Sequence, residues 1–214
     1  MILTLFEQSG FTLESAGKKL AIDVGRFTST ESLQAIGKPD YSLVSHMHGD
    51  HFYEENLTSL AASIITVAEV ASLITDTNLI VTTITEGETI TLPETLFTIT
   101  ATASNHGTGI SAPVENIGFL ISAEGKAVYF LGDMAISTPP PTQTFNIALV
   151  PVGNHGYVFT PEQAAEHIQS IGFTGLVIPI HYTNGDPESG KIFADLIKAT
   201  NPVQALEIGQ SIQL

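Results

Sequence analysis

The chain contains no cysteine. Disulfides and thiolate-held metals are therefore excluded, although the absence leaves the redox compartment open. Cations are scarce too: seven Lys and Arg stand against 22 Asp and Glu, a formal net charge of −15. A surface of that sign repels phosphate backbones and anionic lipid heads, so neither nucleic acid nor a membrane is expected as a partner. No apolar run approaches the ~18 residues that span a bilayer. The opening MILTLFEQSGF has no basic leader and no apolar stretch of export length. Together these absences predict a cytoplasmic protein whose acidity serves solubility. They do not specify its oligomeric state.

What is present suits a well-buried globular chain. Hydrophobic residues make up 43% and charged residues 14% of 214 positions, enough for one domain over residues 1–214 with a substantial core. Short apolar segments bounded by turn residues predict strands at 1–6, 11–14, 19–24, 41–45, 79–84, 96–101, 118–122, 127–131, 147–152 and 175–180. Helices are predicted at 54–62, 69–74, 160–170 and 187–199. The third has Thr160 to cap it, Pro161 in its first turn and Gly172 past its end. The Pro139–Pro141 run reads as a stiff loop. Many strands with helices outside them predict a layered α/β fold with two sheets packed face to face.

Three of the chain's seven histidines fall within seven residues, SHMHGDH, at 45–51. His46 follows an apolar strand and His48 comes two residues later, so near-extended backbone would point both imidazoles the same way, as two ligands of one metal require. Gly49 reads as the residue that allows a sharp turn. Asp50 and His51 then face a slightly different direction, which suits a second ion. Further polar residues stand where apolar strands end: His106 in SNHG, Asp133 in FLGDM and His181 in IPIHY. Singly, each has a structural explanation, such as a turn residue or a helix cap. The ordered set is far harder to explain as packing.

That order, His46-Met47-His48-Gly49-Asp50-His51 followed by His106, Asp133 and His181, resembles the metallo-β-lactamase superfamily. The stretches QSGFTLES, LAIDVG, GDM, PVGNHGY, TPEQAA and IPIHY are similar to its metal-dependent hydrolase branch, which includes ascorbate-6-phosphate lactonase. The resemblance implies an αββα four-layer sandwich with mixed sheets and a dinuclear site at one edge. It implies that His46, His48 and His106 hold one ion, that Asp50, His51 and His181 hold another, and that Asp133 bridges them. Imidazole and carboxylate ligands suit zinc, manganese or iron and do not choose among them; zinc is the first expectation and manganese the second. Two such ions lower the pKa of a shared water towards ~7, so a metal-bound hydroxide would attack an ester, lactone, amide or phosphodiester of small metabolites, anionic ones included. Asp50 is expected to pass on the water's proton.

The remaining histidines are read separately. His155, in GNHGY, is expected to border the substrate pocket and to orient substrate or protonate the leaving group; Asn154, Tyr157 and Tyr182 are lesser possibilities. His167 is expected to be a solvated or supporting residue on its helix, and Asp23 to brace the sheet near the ligand loop. Substrate choice is assigned to the loops at 105–116 and 137–145. Two other activities share the implied fold. A mononuclear iron dioxygenase would use a subset of these ligands, and a nuclease would need basic surfaces that this chain lacks. A flavodiiron enzyme is disfavoured, because that branch has Glu where His48 stands and adds a flavin domain.

Overall fold

The computed structural model describes residues 1–107 and 113–214. In chain order the elements are β1 (Ile2–Leu5), β2 (Phe11–Ser15), β3 (Lys18–Ile22), α1 (Thr30–Ile36), β4 (Tyr41–Val44), α2 (Glu54–Leu60), β5 (Ser63–Thr66), α3 (Ala68–Leu73) and β6 (Val81–Thr83). There follow β7 (Thr89–Thr91), β8 (Thr98–Ala103), β9 (Ile117–Ala123), β10 (Lys126–Phe130), β11 (Ile147–Pro151), α4 (Pro161–Ser170), β12 (Leu176–Ile180), α5 (Pro187–Ile197) and β13 (Ser211–Gln213).

They form two mixed sheets, ordered β13-β1-β2-β3-β4-β5-β6 and β12-β11-β10-β9-β8-β7. The first three strands pair antiparallel in a register that sets Leu3 opposite Leu13 and Leu13 opposite Leu20. From β3 onward the pairing turns parallel, with α1, α2 and α3 supplying the crossovers. The second sheet is an antiparallel meander through β10 that ends in parallel β11 and β12.

Alternation along the strands decides the layering. Val128 and Phe130 of β10 and Ile147 and Leu149 of β11 face Leu5, Phe11, Leu20 and Leu43 across the inter-sheet core. Their neighbours Tyr129, Ala148 and Val150 face the other way, onto Ala164, Ile168, Phe193 and Ile197 of α4 and α5. Both faces of β11 are covered, which is why it is buried throughout. On the opposite side, Phe6, Ala21 and Val24 pack on Ile36 of α1 and Leu60 of α2. The result is the expected four-layer αββα sandwich.

All ten predicted strands and all four predicted helices are present, with ends shifted by a residue or two. The cap on α4 is a full capping box, Thr160 with Gln163. Four elements escaped the apolar pattern: α1, β5, β7 and β13. Helix α1 buries only Ser32 and Ile36, and β7 and β13 bury no residue fully, so none of the three shows a continuous apolar face. No helix among the described residues is long and apolar enough to cross a membrane.

Candidate metal centre

Ligand-type side chains collect where strands of both sheets end. The segment after β4 leads directly into His46, and the backbone stays open enough to bring His46 Nε2 within 3.0 Å of His48 Nδ1. His106, beyond β8, places its Nε2 3.0 Å from the same His48 nitrogen. Three imidazole nitrogens thus converge, with ligand atoms all within 4.8 Å of one another. Neutral imidazoles meeting in this way present lone pairs to a common point, which is the donor set a borderline cation takes.

A second group adjoins the first, with the His46 and His51 ring centroids 4.1 Å apart. It comprises Asp50, His51, Asp133 and His181, again with ligand atoms within 4.8 Å of one another. Asp133 follows β10 at a turn through Gly132, whose φ of +65° and close approach to the Ile117 carbonyl leave no space for a side chain. Its two oxygens serve both groups: Oδ2 lies 3.5 Å from His106 Nε2 and 3.2 Å from His181 Nε2, and Oδ1 lies 3.2 Å from His51 Nε2. Yet His51 Nε2, His181 Nε2 and Asp133 Oδ1 are buried atoms without a hydrogen-bond partner among the described residues. Atoms so close and still unpaired fit divalent cations between them better than they fit one another.

The surrounding residues hold this arrangement. Asp23, fully buried with φ +48°, accepts from the Ser45 amide at 2.8 Å, from Ser45 Oγ at 2.6 Å and from His51 Nδ1 at 2.7 Å. The expected brace is therefore more specific than sheet support, because it fixes the tautomer of His51 and aims Nε2 inward. Sequence reading missed Gln8. Its Nε2 donates to Asp50 Oδ2 at 3.3 Å, its Oε1 accepts from the Asn184 amide at 3.2 Å, and its carbonyl accepts from the His181 amide at 3.0 Å. Gln8 and His181 have φ of +56° and +69°. Left-handed backbone at Gln8, Asp23 and His181 concentrates strain around the centre, of order 1–3 kcal/mol per residue.

Charge follows from this packing. Burial, reinforced by His51, holds His46 well below the usual imidazole range. Burial alone would also lower His51, but Asp133, Asp50 and Asp23 overcome it and raise that pKa well above the usual value. His181 is likewise raised, to about 9, because Asp133 and Asp50 outweigh its burial. Both carboxylates are held ionised against the opposing effect of burial, Asp50 chiefly by His51 and Asp133 by His181 and His51.

Several sequence expectations change here. Gly49 sits in the expected tight turn, closed by the His51 and Phe52 amides on the His48 carbonyl at 2.9 and 2.8 Å, without a positive φ, and its missing side chain also leaves room for Arg26. His167 is not solvated. It is buried on α4, Nδ1 3.2 Å from Ser137 Oγ, and it belongs to neither group. Tyr182 packs its ring on Gly190 within the helix-side core. His155 does lie at the rim, with its ring 5.3 Å from that of His181 and its pKa lowered by burial and by His181. Tyr157 stands 6.4 Å from the His106 ring. Asn154 moors this loop through its amide to Asp186 at 2.8 Å and through its side chain to Ser189 at 2.8 Å. Ser104, Asn105, Val114 and Thr138 line a depression of about 280 Å³ beside His106. Positions 108–112 of the expected substrate loop lie outside the described residues.

Comparison with known proteins agrees with the fold. The model of the β-lactamase superfamily domain matches residues 2–181. A UPF0173 metal-dependent hydrolase of Methanoculleus marisnigri is 30% identical over 191 residues, 85% of this chain and 81% of that protein. Another, from Desulforamulus reducens, is 26% identical over the whole of both chains. Among solved structures, the metallo hydrolase Igni18 from Ignicoccus hospitalis superposes with a TM-score of 0.80 at 23% identity, over 99% of this chain and 97% of that one. The chain belongs to the metallo-β-lactamase superfamily and is one of its metal-dependent hydrolases.

Proposed function

We propose that the protein is a dinuclear hydrolase that cleaves an ester, lactone or phosphodiester bond of a small metabolite. One observation carries this reading: Asp133 has oxygens near both ligand groups at once. On this assignment His46, His48 and His106 hold one ion, Asp50, His51 and His181 hold the other, and Asp133 bridges. Zinc is the first expectation, manganese or iron the next. When bound, the ions supply an activated water and a Lewis acid for the charge that develops on the substrate. The chain's own residues do the rest. Asp50, ionised and partly exposed, accepts a proton at the mouth of the site and passes it outward. His155, exposed at the rim with its ring 5.3 Å from that of His181, orients the substrate or protonates the departing oxygen.

Elemental analysis of purified protein, paired with a panel of lactones, thioesters, phosphodiesters and β-lactams, tests the proposal. Two equivalents of metal and turnover of one panel class are expected. His155→Gln should then lower kcat roughly a hundredfold or more with metal content unchanged. A single iron per chain with oxygen consumption would overturn the reading in favour of a dioxygenase.

A further inference from the structure

The chain has one arginine, Arg26. Its placement is tightly determined. The Arg26 amide donates to the Gly49 carbonyl at 2.7 Å. Its neighbour Gly25 packs so closely on the Asp50–His51 backbone that a Cβ there would overlap the Asp50 carbonyl. The guanidinium itself covers Gly49, where a Cβ would lie 2.7 Å from its terminal nitrogen. A side chain at position 49 would meet the guanidinium first and displace it from this position.

Two further observations give the placement a purpose. Of the seven clustered side chains only His48 and Asp50 are partly open to solvent; the other five are buried. The approach to the centre therefore runs past residues 48–50, where the guanidinium lies. In addition, the exposed Arg26 side chain makes no hydrogen bond or ion pair among the described residues; Lys126 and Lys191 are likewise unpaired there, but it is Arg26 that lies against Gly49 between His48 and Asp50. A fork of N–H donors left unpaired in a chain of net charge −15, at the open edge of its active centre, is suited to a ligand's oxyanion.

We infer that Arg26 is a specificity-determining residue that binds a carboxylate or phosphate group of the substrate, close to the bond being cleaved. The inference rests on the hydrolase reading for its substrate, but the guanidinium's affinity for an oxyanion can be measured without turnover.

The test compares wild type, R26Q and R26K as metal-loaded proteins of equal metal content. Matched pairs of esters and lactones, one member neutral and the other bearing a carboxylate or a phosphate, are assayed for kcat/KM. The preference for the anionic member should fall about tenfold in R26Q, through KM. R26K should retain part of it, keeping the charge but not the planar fork. Carboxylate and phosphate probes show which oxyanion fits. Separately, calorimetric titration with inorganic phosphate should show binding about tenfold weaker in R26Q. Equal phosphate affinity in wild type and R26Q overturns the inference whether or not any ester is cleaved. Arg26-dependent phosphate binding by a protein that cleaves none of the panel upholds the anion site and overturns the ester-cleaving reading instead.

Discussion

Histidine is buried in two regions of this molecule, with opposite consequences. At the strand ends His51 is fully shielded and has three carboxylates around it: Asp23 at 2.7 Å, Asp133 at 3.2 Å and Asp50 at 3.5 Å. On the outer helical layer His167 is 1% exposed, and among the described residues its ring has the Ser137 hydroxyl at 3.2 Å and the Phe159 ring at 5.1 Å. The first is raised well above the ordinary imidazole pKa, whereas burial pushes the second down to about 4. Burial alone thus makes a neutral packing group. Burial among acids makes a position that favours positive charge, whether a proton or a metal ion supplies it.

Removing the acids should abolish the difference. Asp133→Ala takes the shared carboxylate from both groups, and the largest loss is expected there: metal content well below two per chain and activity reduced by three orders of magnitude or more. His48→Ala removes a ligand from the all-histidine group alone, so it should lose metal and activity together while retaining more metal than Asp133→Ala. Either variant with two ions and full rate would refute the ligand assignment. Asp23→Asn is subtler. It leaves every proposed ligand in place but replaces the acceptor of the His51 Nδ1 proton, so a 10–100-fold loss of metal affinity or activity is expected. Metal titration of this variant with unchanged affinity would show that Asp23 braces the sheet and nothing more.

How much of this was legible in the sequence follows from the same contrast. The candidate ligands were readable because they stand just past the ends of apolar strands: His106 after β8, Asp133 after β10 and His181 after β12. The sandwich was readable from strand alternation and the helices between. Residues that act through backbone shape were not. Gln8 connects Asp50 to the 181–184 loop only because it turns left-handed between β1 and β2, and nothing in Glu-Gln-Ser-Gly signals that. Arg26 was missed as well, because its place beside Gly49 depends on how two loops pack. His167 was misjudged because helical position 167 does not reveal that α4 turns that face onto Ser137 and Phe159.

The smallest expected effect is on stability, and it isolates His167. Its folded pKa of about 4 lies below the ordinary 6.5, so the unfolded chain binds the proton more readily. The neutral ring's contribution is therefore fully present above pH ~6.5 and is lost as pH falls through that value towards 4. A shift of this size amounts to at most roughly 3 kcal/mol across the window. His167→Phe keeps a ring against Phe159 and removes the titration. Urea unfolding of metal-free protein at pH 7 and pH 4.5 should show a smaller stability difference in the variant than in the wild type, because the carboxylates and the strand-end histidines titrate alike in both. An unchanged difference would mean that His167 is charged in the folded state. The two buried regions would then not differ in the way their carboxylates imply.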